Sequence, residues 1–165
     1  TVDKRFNLSS KVSHQMAILS MDQYGLMLTE LIPNSVTAVE IEEICKAHDS
    51  CKVPVFLASK LLFYEDPLEN SWDVTSDSIA LYIANRLQAA KVLLVTDVDG
   101  VFTSDPRQEK WAKLIEKVTP TELSATEQRT SVDRTLPKLL LQWQIDCFVV
   151  NGLFPERVEA ILHAR

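Results

Sequence analysis

The sequence predicts an α/β protein, a three-layer αβα sandwich around a mainly parallel sheet. Apolar runs of strand length occupy residues 53–58, 91–96 and 147–152, and stretches with helical periodicity separate them. Residues 91–96 (KVLLVT) form a near-continuous apolar run, which is typical of a central parallel strand. The chain carries no internal repeat, low-complexity tract or linker. We therefore expect residues 1–165 to form a single domain.

Five stretches place apolar residues at the spacing of a helix. They are residues 11–31, 37–47, 75–90, 133–144 and 155–164. The first follows capping serines and ends at Pro33, and the last begins with Pro155, a residue that the first turn of a helix accepts. Residues 63–74 are polar and contain Pro67, so we expect a loop there, and another over the turn-rich residues 97–106.

Composition narrows the possible functions. Hydrophobic residues make up 46% of the chain, charged residues make up 24%, and the formal net charge is −6. The acidic balance and the lack of a basic cluster argue against nucleic-acid binding. No apolar run approaches the roughly 20 residues that cross a bilayer. Three cysteines without metal-finger spacing and three histidines without ligand spacing favour reduced thiols in a cytoplasmic protein, with no metal site built from these residues.

The loops after two predicted strands are the expected place for a ligand, because parallel α/β sheets bind ligands beyond the carboxyl ends of their strands. One loop begins at Asp97 and contains Asp99 and Gly100, and the other contains Asn151 and Gly152. Asp-Gly is also a very common turn dipeptide, so an ordinary turn remains an alternative for the first loop.

The helix predicted at 75–90 opens with Thr75, Ser76 and Asp77. These residue types are good N-caps, and a capping role holds alongside any functional one. A carboxylate at the positive end of a helix dipole is expected in its charged form. Asp77 would then be a poor general base but a good anchor for lysine ammonium groups or a metal ion.

Two cationic residues on the helix predicted at 133–144 could bind the negatively charged groups of a substrate. Arg134 and Lys138 are four positions apart, one helical turn, and we expect them to face one site, although two solvated surface charges are the alternative. Phosphoryl transfer requires such cations, because negative charge spreads over the oxygens of the transferred group. Trp72 is interpreted either as a wall of an acceptor site or as a half-buried loop residue, and Arg134 and Trp72 are candidate substrate-binding residues.

Two motifs, in this order along the chain, are specific enough to suggest a protein family. They are TSDSIA at residues 75–80 and TDVDGVFTSDP at residues 96–106. Together they resemble the amino-acid kinase superfamily, which joins a (T/S)-D-(S/T)-x-A helix start to T-x-VDGV(Y/F)-x-x-DP. The segments SHQMAILSMDQYG, WDVTSDSIA, VDRTLPKLL and CFVVNGLFPERVEA extend the resemblance along most of the chain. They make it similar to the furanmethyl-phosphate kinases of methanofuran biosynthesis, a uridylate-kinase-like branch. The resemblance implies the amino-acid kinase fold.

The resemblance also implies roles for individual residues. Asp77 matches the catalytic aspartate that holds lysines in place, and Lys138 matches a phosphate-binding lysine, although the glycines that usually precede it are missing here. Thr75 and Ser76 match hydroxyl positions that contact an acceptor phosphate. The implied ATP site consists of Thr96, Asp97, Asp99, Gly100, Phe102, Asp105 and Pro106.

The activity implied by the resemblance is transfer of the γ-phosphoryl group of ATP, with Mg²⁺, to a small phosphorylated acceptor. An aminomethyl-furanmethyl phosphate is the expected acceptor, and its diphosphate is the product. Two alternatives stay open: a uridylate-type nucleoside monophosphate kinase, and a non-catalytic nucleotide-binding or storage module of the same fold. Relatives usually form dimers or larger rings, so a homo-oligomer is expected.

One departure from the superfamily pattern concerns glycine. The superfamily opens with a lysine-bearing strand and a Gly-Gly-Ser loop whose backbone N–H groups cradle phosphates, followed by a second glycine-rich loop. The glycines of this chain are Gly25, Gly100 and Gly152, and none belongs to such a loop. The first residues resemble the segment after the second loop. We therefore expect the chain to correspond to the C-terminal three quarters of the domain, with a degenerate, inactive protein as the alternative.

Overall fold

The computed structural model describes residues 2–125 and 131–163. The chain separates into two compact units, Thr1–Trp72 and Asp73–Arg165, and each is described by itself. Both units contain a pair of parallel strands accompanied by helices, so each has α/β character. In the part of the chain that the structure describes, no helix is both long and apolar enough to span a membrane.

The first unit alternates helices with a parallel strand pair. Its elements are α1 (Val2–Phe6), α2 (Ser10–Leu31), β1 (Ser35–Ala38), α3 (Ile41–Asp49), β2 (Val53–Phe56) and α4 (Ser59–Glu65). Strands β1 and β2 run in register, with Ser35 opposite Val53 and Ala38 opposite Phe56. Ala38 is only 1% exposed, so the carboxyl end of β1 lies in the core.

Helix α2 confirms the first predicted helix. The Ser9 Oγ accepts a hydrogen bond from the Val12 N–H at 3.3 Å and so caps the first turn. The backbone turns to an extended conformation at Ile32, the residue before Pro33. This is the expected end point, because the ring of a proline disfavours helical backbone in the residue that precedes it.

The prediction of a helix over residues 37–47 is wrong at its start. Residues 37 and 38 belong to β1, and α3 begins only at Ile41. A capping box fixes this start, because the Glu43 carboxylate accepts from the N–H groups of Val39 at 2.7 Å and Glu40 at 3.2 Å. Local capping therefore separates a short strand from the helix that follows it.

The other two expectations for this unit have mixed outcomes. The strand predicted at 53–58 is confirmed as β2, although it ends at Phe56. The loop predicted over 63–74 is wrong in part, since α4 continues to Glu65. The helix ends at Asp66, which adopts a left-handed φ of 42°. Aspartate is one of the few residues other than glycine that tolerate this backbone conformation at a helix end.

The second unit carries the predicted chemistry, apart from Trp72. Its elements are α5 (Ser76–Arg86), β3 (Lys91–Thr96), β4 (Val101–Phe102), β5 (Leu114–Ile115), α6 (Pro120–Ser124), α7 (Leu136–Trp143), β6 (Asp146–Asn151) and α8 (Pro155–His163). Strands β3 and β6 are parallel, and their carboxyl-terminal residues Thr96 and Asn151 face each other. The loops that follow the two strands therefore start side by side.

Helix α5, strands β3 and β6 and helix α8 confirm the corresponding predictions. The helix predicted at 133–144 is wrong at its start, because α7 begins at Leu136, with Pro137 in its first turn. Arg134 therefore lies before the helix and is not one helical turn from Lys138. The expected loop over 97–106 also contains strand β4, which pairs antiparallel with β5.

Candidate active site

The starts of α5 and α7 meet at one buried carboxylate, that of Asp133, which is 8% exposed. Its Oδ2 accepts from the Thr75 N–H at 2.9 Å, the Thr75 hydroxyl at 3.1 Å and the Ser78 N–H at 2.9 Å. Its Oδ1 accepts from the Ser78 hydroxyl at 2.6 Å and from the N–H groups of Thr135 at 3.1 Å and Leu136 at 2.8 Å. We call these residues, together with Asp77 beside them, the helix-start junction, and it consists of Thr75, Asp77, Ser78, Asp133, Thr135 and Leu136.

Asp133 therefore closes the amino-terminal ends of two helices at once. The first N–H groups of a helix lack partners within the helix, and a negative charge there is favourable. Sequence reasoning missed this residue as a member of the site. The available signal was an aspartate three positions before the start of α7, but its donors Thr75 and Ser78 lie 58 and 55 residues away.

Asp77 lies in the first turn of α5 and is partly buried. Its Oδ2 accepts a hydrogen bond from the backbone N–H of Asp133 at 3.0 Å. Burial, and then the charge of Asp133, raise the pKa of Asp77 above its usual value. Desolvation beside a second carboxylate therefore opposes the helix dipole, which by itself favours the charged form of Asp77. No basic side chain of the described residues contributes to this shift, so a cation placed beside Asp77 would relieve it.

The hydroxyl groups predicted to contact an acceptor differ in availability. The Thr75 hydroxyl donates to Asp133 and accepts from the Asp77 N–H at 3.5 Å, so it is engaged within the junction. Ser76 is exposed at the first position of α5. Of the two predicted hydroxyls, Ser76 is therefore the one that a ligand can reach from solvent.

The other residues predicted for catalysis and acceptor binding, Lys138, Arg134 and Trp72, are exposed. Lys138 lies in the first turns of α7, and Arg134 precedes that helix, with its guanidinium 3.9 Å from the Asp73 carboxylate. Trp72 is 61% exposed, which does not fit the half-buried interpretation, and it is the last residue of the other unit. Lys138 and Arg134 thus belong to one segment of the second unit, whereas Trp72 belongs to the first unit.

A cleft of about 230 Å³ opens at the carboxyl end of β3. We call it the β3 cleft, and its lining consists of Thr96, Asp97, Val98, Phe102, Ser104, Asp105, Pro106, Arg107 and Ser131. Five residues of the predicted ATP site are in this lining, and they are Thr96, Asp97, Phe102, Asp105 and Pro106. The cleft combines an aromatic ring, a proline and polar groups, a composition common in ligand sites.

The other two residues of the predicted ATP site, Asp99 and Gly100, are not in that lining. The Asp99 Oδ1 accepts from the Asn151 side-chain amide at 3.0 Å and from the Arg157 guanidinium at 2.7 Å. The bond from Asn151, followed by that from Arg157, lowers the pKa of Asp99 below its usual value. Asp99 therefore ties the loop after β3 to the end of β6 and to α8.

Gly100 occupies a conformation that other residues rarely adopt, with a φ of 150°. A Cβ at this position would lie 2.9 Å from the Leu114 Cδ1. The Gly100 carbonyl accepts a hydrogen bond from the Ser131 hydroxyl at 2.9 Å. Asp99 and Gly100 thus shape the loop that follows β3, and Gly100 is bonded to Ser131 at the wall of the β3 cleft.

The rim of the β3 cleft is charged. Arg107 forms an ion pair with Asp97, and both side chains are exposed. The Asp105 carboxylate accepts from the Arg107 N–H at 2.9 Å and from the Gln108 side-chain amide at 2.9 Å. Asp105 therefore organises the turn that presents Arg107 to the cleft.

Ser104 was not predicted from the sequence, yet it lies in the same lining and is 7% exposed. Its buried hydroxyl has no hydrogen-bond partner among residues 2–125 and 131–163. A buried hydroxyl without a partner is uncommon in folded proteins. No sequence pattern could have identified it, because its burial depends on the folded loop.

Metal ligands are not clustered in the described residues. No group of three or more histidine, cysteine, aspartate or glutamate side chains there could hold a metal ion. Cys45, Cys51 and Cys147 are free thiols. Mg²⁺ usually binds through one or two carboxylates together with the phosphates of a substrate, so a single carboxylate such as Asp77 fits that kind of site.

Comparison with known proteins identifies the architecture. Residues 3–151 match the amino acid kinase family. The chain is 35% identical over 165 residues to the "[5-(aminomethyl)furan-3-yl]methyl phosphate kinase" of Methanocaldococcus jannaschii, covering 99% of this chain and 72% of that protein. It is 33% identical over 92 residues to the uridylate kinase of Methanococcoides burtonii, covering 51% of this chain and 39% of that protein.

Solved structures of uridylate kinases share the fold. That of Archaeoglobus fulgidus superposes with a TM-score of 0.71 at 18% identity, covering 98% of this chain and 73% of the other. The UMP kinase of Ureaplasma parvum gives 0.70 at 19% identity, covering 99% and 73%. The predicted α/β fold class is therefore confirmed. The chain belongs to the amino acid kinase family, and it is a kinase with the fold of the uridylate kinases.

Proposed function

We propose that this kinase transfers the γ-phosphoryl group of ATP to a small acceptor that already carries a phosphate. The proposed acceptor is an aminomethyl-furanmethyl phosphate, and the product is its diphosphate, made for methanofuran biosynthesis. The observation that carries the proposal is the β3 cleft, because five residues assigned to ATP by family resemblance line one cavity. The identity of 35% with the furanmethyl phosphate kinase, along nearly the whole chain, supports this choice of acceptor.

The β3 cleft suits the nucleoside half of ATP. Phe102 and Pro106 provide apolar surface for the flat base, and Thr96 provides a hydroxyl. The charged pair of Asp97 and Arg107 lies at the exposed rim, where the polar ribose and phosphates would remain near solvent. A cavity of about 230 Å³ is smaller than a whole nucleotide site, so the phosphates extend out of it.

The helix-start junction suits the phosphate-transfer half of the site. Asp77 is a partly buried carboxylate with a raised pKa, which a nearby cation would lower again. We propose that it holds cationic side chains such as Lys138 against the transferred phosphoryl group. Mg²⁺ bound to the ATP phosphates would supply further neutralisation of their charge. Ser76 and Arg134 are the exposed groups proposed to bind the acceptor phosphate. Thr75 caps the first turn of α5 and so fixes the backbone that carries Ser76.

The proposed reaction needs little covalent help from the protein. An oxygen of the acceptor phosphate attacks the γ-phosphorus in line, a new P–O bond forms, and the bond to the ADP oxygen breaks. A phosphate oxygen is already anionic, so no general base has to remove a proton. The residues of this chain therefore act by alignment and by charge neutralisation.

A uridylate-type kinase is the second candidate. The shared fold with uridylate kinases at TM-scores of 0.71 and 0.70 favours it, although sequence similarity to such kinases covers only about half of the chain. Both candidates phosphorylate a phosphate group, so they differ in the acceptor and not in the reaction type. A homo-oligomer and a cytoplasmic location stay predictions.

Measuring product formation on a small panel of acceptors tests the proposal. The full gene product is incubated with Mg-ATP and either aminomethyl-furanmethyl phosphate, UMP or N-acetylglutamate. ADP release is followed, and ³¹P NMR detects the new diphosphate. We expect turnover on the furan phosphate at a kcat/KM well above that on the other two. Higher kcat/KM on UMP would replace the proposal with the uridylate candidate, and turnover only on the carboxylate acceptor would contradict both.

A further inference from the structure

The carboxylate of Asp99 joins three segments of the second unit, because side chains from two other elements donate to the same oxygen. The Asp99 Oδ1 accepts from the Asn151 side-chain amide at 3.0 Å and from the Arg157 guanidinium at 2.7 Å. Asp99 lies in the loop after β3, Asn151 is the last residue of β6, and Arg157 lies in the first turn of α8. Helix α8 is therefore bonded to the loop that follows β3.

The Arg157 side chain has a second contact that holds it in place. Its guanidinium lies 4.1 Å from the centroid of the Phe154 ring, within the range of a cation–π contact. The Arg157 N–H also donates to the Phe154 carbonyl at 3.0 Å. An exposed ion pair on its own contributes little, because two side chains must be fixed in one geometry. The ring fixes the planar guanidinium in advance, so less side-chain entropy is lost when it bonds to Asp99.

Asn151 gives Asp99 a fixed support on the other side of this network. Asn151 is 6% exposed, and its side-chain oxygen accepts from the Leu153 N–H at 3.0 Å while its amide donates to Asp99. The next residue, Gly152, donates its N–H to the Thr96 carbonyl at 2.9 Å. The end of β6 is therefore tied to the end of β3, and Arg157 adds a second support for Asp99 from α8.

Asp99 is next in sequence to residues that line the β3 cleft. Thr96, Asp97 and Val98 are all in that lining, whereas Asp99 is not. Its two bonds can therefore affect a ligand in the cleft only through the backbone of the loop. That loop is short, since β3 ends at Thr96 and β4 begins at Val101. A displacement of Asp99 would thus move the lining residues beside it.

We propose that Arg157 is a positioning residue of the nucleotide site, and that it holds Asp99 and thereby fixes the loop that carries Asp97 and Val98. This inference rests on the proposed function, which assigns the nucleoside of ATP to the β3 cleft. The groups proposed for phosphoryl transfer lie at the helix-start junction and on α7. Loss of the Arg157 guanidinium should therefore weaken nucleotide binding without slowing transfer from bound ATP.

Steady-state kinetics of the full gene product test this inference. Arg157→Gln removes the guanidinium, and Lys46→Gln is the matched control, since it removes the same charge from an exposed residue of α3. The KM for ATP and kcat are measured with the acceptor that wild type uses best. We expect Arg157→Gln to raise this KM about 3- to 5-fold, with kcat changed by less than about 2-fold. The control should change neither quantity.

A double variant shows whether Arg157 acts through the Asp99 carboxylate. Asp99→Ala should itself raise the KM for ATP. Adding Arg157→Gln to it should raise the KM no further, because the guanidinium has already lost its acceptor. Additive effects of the two substitutions would overturn the inference, since Arg157 would then act by another route.

Two further results would overturn the inference alone. One is an unchanged KM for ATP in Arg157→Gln, and the other is a kcat that falls as much as kcat/KM. If thermal unfolding shows that Arg157→Gln does not fold, Arg157→Lys is measured instead, because it keeps the charge and loses the planar guanidinium. An unchanged KM in that variant would also overturn the inference. Wild-type protein without ATP-dependent turnover on any acceptor would overturn the proposed function as well, so the two failures are distinguishable.

Discussion

The helix-start junction and the β3 cleft both bury polar side chains, but they satisfy them in different ways. At the junction, the Asp133 carboxylate accepts six hydrogen bonds and closes two helices. In the cleft, the Ser104 hydroxyl has no partner within the described residues. A fully satisfied buried group stabilises the fold, whereas a buried group without a partner costs free energy.

The same contrast occurs between the two carboxylates of the junction. Asp133 has hydrogen-bond donors on both oxygens, while Asp77 accepts from one backbone N–H and has its pKa raised by burial and by Asp133. Asp133 is therefore the structural residue and Asp77 the one whose charge is poorly balanced in the ligand-free protein. Family resemblance assigned the catalytic role to Asp77, and this electrostatic imbalance supports that assignment.

Replacing the satisfied carboxylate should have the largest effect on stability. Asp133→Ala removes the acceptor for six donors at two helix starts, so the free energy of unfolding should fall by about 3–5 kcal/mol. Urea unfolding followed by circular dichroism measures this change. The control Asp49→Ala removes an exposed carboxylate and should change the free energy by less than about 0.5 kcal/mol. Equal effects of the two variants would remove the structural role given to Asp133.

Replacing the glycine that shapes the cleft should have an intermediate effect. Gly100→Ala forces a side chain into a backbone with φ of 150° and places its Cβ close to Leu114, so stability should fall by about 1–2 kcal/mol. ATP affinity should fall as well, because Gly100 holds Ser131 at the cleft wall. Urea unfolding and calorimetric titration measure the two quantities. A variant as stable as wild type, with unchanged ATP affinity, would show that this turn does not shape the cleft.

Removing the charge of Asp77 should have the smallest effect on stability of the three changes. Unlike the other two, it should make the protein more stable. The pKa of Asp77 is raised in the folded protein, so ionised Asp77 destabilises the fold, and this penalty grows as the pH rises from the unfolded value of 3.8 through the folded pKa. Asp77→Asn should therefore unfold at a higher temperature than wild type at pH 7, without ligand. The difference should shrink as the pH approaches 4, and a variant less stable than wild type at pH 7 would contradict the assigned imbalance.

The parts of the fold that could be predicted have local causes. Helix α5 and strands β3 and β6 follow from apolar periodicity and capping residues such as Thr75. Strand β1 was missed because its four residues, SVTA, carry too short a pattern to separate from the helix that follows. Sequence patterns depend on residues that are close together along the chain. A strand of four residues is defined mainly by its hydrogen bonds to a partner strand, which such patterns do not contain.

The residues of the candidate site also fall into those that a local sequence motif identifies and those that only the folded structure brings together. Motif resemblance located five lining residues of the β3 cleft, because all five lie within residues 96–106, in the loop at the carboxyl end of one parallel strand, where such sheets bind ligands. Asp133 and Ser104 could not be assigned in this way, since the donors of Asp133 are distant in sequence and the burial of Ser104 arises only on folding. The raised pKa of Asp77 is likewise a property of the assembled junction.

The most direct test of the account measures turnover and stability of Asp77→Asn together. The full gene product and the variant are assayed for ADP release with Mg-ATP and the furanmethyl phosphate, and both are unfolded by heat at pH 7 without ligand. We expect turnover to fall by at least about 100-fold while the unfolding midpoint rises. Turnover retained in the variant, or lost together with its stability, would contradict the claim that Asp77 serves phosphoryl transfer rather than the fold.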